Sequence, residues 1–241
     1  MEQIALIADI HGNIPALTAA YEDIGRRGIR RIWSLGDMCG GGPEGAKALD
    51  WCREHCERNL MGNWEDFFLY RADHPKAKKY IAEPGDERYA YLRTLPLSHK
   101  FWMSGRRIHL FHGRPLRKEI LWAEDAPEVK REMFHILEDE HPPQLVGYAD
   151  IHRQFKYDFQ DEEKTLFNTG SIGNSFSGSY ACYAILHGTV DSKTPDAFSI
   201  EFVSVPYDIE AAATIAREQA DWFDCEPYIR GLQSGSWQQI G

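Results

Sequence analysis

Residues Gln3 to Ala8 form an almost unbroken apolar run, which ends abruptly at Asp9-Ile10-His11-Gly12-Asn13. A run of that length, closed by turn formers, reads as one buried strand. Pro15 suits the first turn of a following helix. Asp9 and His11 therefore stand two residues apart at the C-terminal tip of a buried strand. In an open α/β sheet that edge is where ligands bind. A carboxylate and an imidazole so placed can grip one divalent cation.

The pattern recurs down the chain. A helix is expected from Pro15 to Arg27, with Ala16, Leu17, Ala20 and Ile24 on one face and Gly28 ending it. Ile29 to Leu35 reads as a second strand closed by Gly36-Asp37. A Gly40-Gly41-Gly42-Pro43 loop opens a helix to Glu57, and Leu60-Met61 reads as a third strand closed by Gly62-Asn63. This β-α-β-α-β order predicts a parallel sheet with right-handed crossovers. Trp64 to Leu95 reads as mostly helical and rich in aromatics, broken at Pro75 and at Pro84-Gly85. It marks residues 64–100 as an insertion or cap within a single domain spanning 1–241. Strands are expected at Phe101-Trp102, at Arg107 to Phe111 (ending in His112-Gly113) and at Gln144 to Ala149 (ending in Asp150-Ile151-His152). A charged helix from Pro127 to Glu140 lies between the last two. Beyond these, Phe155–Phe159, Thr165–Phe167, Tyr180–Leu186 and Phe198–Val205 read as antiparallel strands. Pro206-Tyr207-Asp208 caps a last helix to Trp222, and the tail after Cys225 carries no signal.

Composition narrows the function classes. The net charge of −10 argues against sequence-independent nucleic-acid binding, which needs a basic face. No apolar stretch approaches the ~20 residues of a membrane span. With no targeting segment ahead of the first strand, a cytoplasmic protein is expected. Its five cysteines, with Cys52 and Cys56 one helical turn apart, then read as reduced thiols, because C-x₃-C has no second pair to complete a metal site. No Ser/His/Asp triad or dinucleotide fingerprint is present, and Gly40-Gly41-Gly42 lacks the lysine of a phosphate-binding loop.

One strand ending in Asp or Asn is ordinary, since such residues cap loops everywhere. Five strand ends carrying Asp9 and His11, Asp37, Asn63, His112, and Asp150 with His152 are harder to dismiss. Parallel strands gather such tips at one sheet edge. Seven His, Asp and Asn side chains are too many for one cation; they suit two, bridged by a carboxylate.

These residues resemble the calcineurin-like metallophosphoesterase superfamily, closest to its small bacterial and archaeal phosphodiesterase branch. The segments that carry the resemblance are Asp9-x-His11, Gly36-Asp37, Gly62-Asn63, His112-Gly113, Asp150-x-His152, Asn168-Thr169-Gly170-Ser171-Ile172-Gly173 and Val205-Pro206-Tyr207-Asp208. The resemblance implies an α/β fold, a four-layer α/β/β/α sandwich with the helical insertion after its third strand. It implies that Asp9, His11 and His152 hold one metal, that Asn63 and His112 hold a second, and that Asp37 bridges them. Asp37, Asn63 and His112 are then the catalytic set, and a hydroxide activated by two divalent cations attacks phosphorus in line.

Two departures stand out. The usual Gly-Asn-His-Asp/Glu is here Gly62-Asn63-Trp64-Glu65. The missing imidazole normally contacts the scissile phosphate, and diesterase members also lack it, so substrates with good leaving groups are favoured. Trp64 either stacks on a substrate base or packs the cap. In the usual Gly-His-Thr-His, Asp150 falls where the first His belongs. Asp150 either ligates the second cation, lowering the site charge by one unit, or only accepts hydrogen bonds. As a ligand, its oxygen favours manganese, magnesium or iron over zinc. Manganese is the expected metal, with iron, magnesium, nickel and zinc as candidates. Asn13 either contacts phosphate or caps a helix, and Arg114 either pairs with phosphate or forms a salt bridge. The leading expectation is a phosphodiesterase acting on a small organic or nucleotide substrate. A family-fold binding scaffold with a decayed second metal site is the alternative. A homodimer is compatible with the sequence; a membrane partner is not expected, and nucleic acid is disfavoured.

Overall fold

The computed structural model describes residues 1–71, 86–137, 140–176, 178–221 and 224–235. The elements follow in the order β1 (Glu2–Ile7), α1 (Ile14–Arg26), β2 (Arg31–Ser34), α2 (Gly45–His55), β3 (Arg58–Asn59), α3 (Asn63–Tyr70), α4 (Asp86–Leu92), β4 (Ser98–Met103), β5 (Arg106–Phe111), α5 (Pro127–Glu132), β6 (Leu145–Tyr148), β7 (Gln154–Phe159), β8 (Lys164–Thr169), β9 (Tyr180–Gly188), β10 (Ser199–Pro206), α6 (Ile209–Glu218) and α7 (Cys225–Ser234).

The strands form two five-stranded mixed sheets, ordered β10-β9-β1-β2-β3 and β4-β5-β6-β8-β7. β1, β2 and β3 run parallel, as do β5, β6 and β8. β1 shows why its run is apolar without alternation. Ile4 and Leu6 enter the core between the sheets with Trp33, Ile108, Leu110, Leu145 and Phe167. Ala5 and Ile7 enter the core on the opposite face, under α1 and α2. A strand buried on both sides has no polar face to keep. The second sheet's outer face packs Phe111, Val146, Tyr148 and Leu166 against Leu121, Met133 and Phe134. The layers are therefore helices, sheet, sheet, and a thin cover in which α5 is the regular part.

α1 matches its expectation closely. Asn13 caps it, with Oδ1 accepting from Ala16 N at 3.1 Å, and Ala16, Leu17, Ala20 and Ile24 are the buried face. Several boundaries differ. The third strand is Arg58–Asn59 rather than Leu60-Met61, although Leu60 N still donates to Ser34 O at 2.9 Å. α2 starts at Gly45, two residues after Pro43. α5 stops at Glu132 instead of reaching Glu140. Met133, Phe134 and His135 each donate to the carbonyl three residues back, so the helix tightens into turns as its apolar residues dip into the core. α6 ends at Glu218 in the same way, with Gln219 and Ala220 donating to Ala216 and Arg217. β8 is antiparallel only to β7 and runs parallel to β6. The tail contains helix α7. Within 64–100, α3 and α4 are helical and the last residues belong to β4; Pro75 and Pro84-Gly85 lie outside the described residues. All five cysteines are free. Among the described residues, no helix is long and apolar enough to cross a membrane.

Candidate metal centre

The carboxyl ends of β1, β2, β5 and β6, with the N-terminus of α3, bring Asp9, His11, Asp37, Asn63, His112, Asp150 and His152 into one cluster. The loops that do this are tied to each other by backbone bonds. Asp9 N donates to Gly36 O at 3.0 Å, Ile10 N to Asp37 O at 2.8 Å, Gly12 N to Met38 O at 3.1 Å, and Ala149 N to His112 O at 2.7 Å. The Asn168–Gly173 segment clamps them from the side. Ser171 Oγ and Gly173 N donate to Asp9 O at 2.8 and 2.9 Å. Asp9, His11, Asp37, Asp150 and His152 all hold positive φ, between 50° and 71°. Non-glycine residues in this region cost on the order of 1 kcal/mol each and persist where the surroundings dictate them. Gly62 is required for a different reason: a Cβ there would run into the Asp37 carboxylate and backbone.

Each of three imidazoles is aimed by its Nδ1, which donates to a carbonyl. His11 Nδ1 lies 2.9 Å from Gly40 O, His112 Nδ1 3.0 Å from Leu35 O, and His152 Nδ1 2.8 Å from Asn174 O. Each Nδ1 therefore carries a proton, and each Nε2 is turned inward, where it can ligate a cation in place of a proton; His11 Nε2 and His152 Nε2 face each other at 3.0 Å. The inward atoms converge. Asp9 Oδ1 lies 3.4 Å from His152 Nε2, 3.6 Å from His112 Nε2 and 3.8 Å from His11 Nε2. Asp37 Oδ2 lies 3.3 Å from His112 Nε2 and 3.9 Å from His11 Nε2. Two groups, Asp9-His11-His152 and Asp9-Asp37-His112, have ligand atoms within 4.8 Å of one another. Asp9 Oδ1 is thus common to both groups, while Asp37 also reaches toward each.

The residues fit divalent cations on three counts. Asp9 Oδ1 is fully buried and has no hydrogen-bond partner. The donor set is carboxylate, imidazole and amide, with no thiolate, which suits hard and borderline ions. Finally, one end of the Asn63 amide faces three acceptors, with His112 Nε2 at 3.1 Å and Asp37 Oδ2 and Asp150 Oδ1 at 3.2 Å. Either its two N–H bonds are shared among the three, or a cation lies among them and its oxygen ligates that cation. The electrostatics agree. Burial alone would lower the His112 imidazole, but the Asp37 and Asp9 carboxylates reverse that and push it up to about 10. Burial works against the Asp37 charge too, and His112 outweighs it, holding Asp37 below the usual carboxylate range. Burial and His152 push His11 down. The cluster carries an excess of negative charge that a proton or a cation must offset.

The remaining candidates sit as follows. Both ends of the Asn13 amide are engaged by the protein: Oδ1 caps α1, and Nδ2 donates to Gly173 O at 2.9 Å and to Tyr207 Oη at 3.4 Å. The Trp64 indole packs over Gly40, where a Cβ would run into it, and against Phe67 and Phe68 at 5.8 and 5.9 Å. It meets the edge of His11 at 6.4 Å. Arg114 forks onto Asp150.

Glu65 is a contributor to which the sequence reading gave no role. It is fully buried. Its Oε2 accepts from Asp37 N at 2.8 Å and Gly62 N at 2.9 Å; its Oε1 accepts from Met38 N at 2.9 Å and from Cys39 N and Sγ at 3.3 Å. Burial and Asp37 push it up to about 7, yet only donors point at its oxygens, so the loop holds the ionised form. The signal was its place three residues after Gly62 at a helix start, the spacing of a capping box.

A family model for the calcineurin-like phosphoesterase superfamily domain matches residues 2–191. An uncharacterized protein of Methanocaldococcus jannaschii is 30% identical over 226 residues, covering 87% of this chain and 89% of that protein. Among solved structures, a metallophosphoesterase from Sphaerobacter thermophilus superposes with a TM-score of 0.77 at 21% identity, covering 98% of this chain and 99% of its own. A hypothetical protein from Pyrococcus horikoshii superposes with a TM-score of 0.75 at 18% identity, covering 99% and 100%. With the match over most of its length, this chain belongs to the calcineurin-like phosphoesterase superfamily.

Proposed function

We propose that this protein is a dimetal-dependent phosphoesterase that hydrolyses phosphodiesters of small organic or nucleotide substrates, with manganese as its metal. The observation that carries the reading is Asp9 Oδ1, buried without a hydrogen-bond partner and 3.4–3.8 Å from three inward-facing imidazole nitrogens. Two divalent cations would supply a Lewis-acid clamp for the phosphate and make a water nucleophilic at neutral pH. Asp9, His11 and His152 would hold the first, Asn63 and His112 the second, and Asp37, within reach of His11 and His112, would serve both. The backbone carbonyls of Gly40, Leu35 and Asn174 keep the three rings in the ligating tautomer. The Trp64 indole N–H is too weak an acid to protonate a departing oxygen, so the chain favours diesters whose leaving group departs unaided. The small-molecule substrate class fits the negative net charge, which disfavours polynucleotides.

A binding scaffold remains the second reading, because Asp150 is already paired with Arg114. Manganese-dependent hydrolysis of bis(p-nitrophenyl) phosphate separates them. Hydrolysis in the wild type, lost in Asp37→Asn, supports the enzyme. A manganese-loaded protein without turnover on any aryl diester supports the scaffold.

A further inference from the structure

Asp150 occupies the place where the family motif has a histidine, and it is not alone there. Arg114 Nη2 donates to its Oδ1 at 2.7 Å, and Nε lies 3.1 Å from both oxygens. The Asp150 side chain is 4% exposed and the Arg114 side chain 35% exposed. The bonded oxygen also faces inward, 3.9 Å from His112 Nε2 and 3.2 Å from the Asn63 amide. Gly113 makes the approach possible: its φ is +140°, and a Cβ there would lie 3.0 Å from Asp150 Cβ. An aspartate in a histidine's place removes one unit of positive charge from the site. A guanidinium, which keeps its proton at any physiological pH, returns it.

We propose that Asp150 and Arg114 act as one unit replacing the missing histidine: Asp150 closes the second cation position, and Arg114 fixes its carboxylate and restores the site charge that binds phosphate. This rests on the dimetal reading above. Arg114 is then a positioning residue that acts on the substrate's phosphate through charge and through Asp150. Its removal should weaken anion binding without emptying the cation positions, because losing a positive neighbour does not repel a cation.

The test is a charge-compensation cycle on manganese-loaded protein: wild type, Arg114→Gln, Asp150→His and the double variant. Inorganic phosphate binding is read by calorimetry, and metal content by elemental analysis. Arg114→Gln should weaken phosphate binding roughly tenfold, and Asp150→His should tighten it by a similar factor. The double variant, restored to the wild-type charge, should return to within about threefold of wild type, and Arg114→Lys should stay near it. Three results overturn the proposal. Arg114→Gln could lower thermal stability with phosphate affinity unchanged, which marks a bridge serving only the fold. The double variant could bind as weakly as Arg114→Gln, which marks direct contact with phosphate. Arg114→Lys could fail as Arg114→Gln does, which removes charge as the cause. Should Arg114→Gln not fold, unchanged phosphate affinity in Asp150→His overturns it alone. Wild-type protein that retains no second cation refutes the dimetal reading. Two retained cations with one phosphate constant across the set refute only the Arg114–Asp150 unit.

Discussion

Replacing Glu65 by glutamine keeps size and shape but removes one acceptor oxygen. Four backbone N–H groups, those of Asp37, Met38, Cys39 and Gly62, point at the carboxylate, two on each oxygen. Whichever way the glutamine amide turns, its NH₂ faces two of them. Each buried donor left unsatisfied costs about 1–3 kcal/mol. The glutamine also relieves a buried charge that burial and Asp37 oppose, which offsets part of the loss. The net expectation is about 2–3 kcal/mol, or roughly 6–10 °C in Tm for a chain of this size. The displaced segment carries Asp37, whose Oδ2 stands 3.3 Å from His112 Nε2. Glu65→Gln should therefore also lose metal from the Asp37–His112 group. Calorimetric melting of metal-free protein gives the first number, and metal content after dialysis gives the second. A Tm within about 2 °C of wild type, with full metal retention, would refute the clamp role.

Asp9→Asn should empty the first cation position and weaken the second, because Asp9 belongs to both ligand groups; metal content per chain checks this. Trp64→Ala should destabilise by about 2–3 kcal/mol through the cavity left beside Phe67 and Phe68, as read by denaturant titration. Trp64→His should improve turnover of diesters with poor leaving groups relative to good ones; equal losses on both would mark Trp64 as purely structural. Burial and Arg58 hold the His99 imidazole down at about 4, against 6.5 in its ordinary state. The unfolded chain therefore binds the extra proton between those pH values, and stability falls as pH drops from about 6.5 towards 4. His99→Phe, which keeps the stack on Phe101, should flatten that slope by on the order of 1 kcal/mol, given the partly exposed ring.

Much of the fold was legible because β1, β2, β5 and β6 carry buried apolar residues up to a closing turn former, and their order allows few topologies. Site candidates were legible for the same reason: Asp9, Asp37, His112 and Asp150 are among the first polar residues after a buried run. What stayed hidden depends on tertiary pairing. β3 is two residues long and apolar on neither side of Arg58, so the adjacent Leu60-Met61 took its place in the reading. The partnership of Arg114 with Asp150 joins residues 36 apart and leaves no local trace. α7 did leave one. Cys225, Tyr228, Ile229 and Leu232 follow the i, i+3, i+4, i+7 stripe of an amphipathic helix and form its buried face. Ser171 and Glu65 show a third limit. Each acts on the backbone of a ligand-bearing loop, so residue type alone does not reveal its role.

Anomalous diffraction at the manganese edge from crystals of metal-loaded wild-type protein tests the central claim most directly. Two peaks are expected about 3.5–4 Å apart, one within reach of Asp9, His11 and His152 and the other within reach of Asp37, Asn63 and His112. A single peak, or peaks away from these side chains, would contradict a dimetal centre built on Asp9.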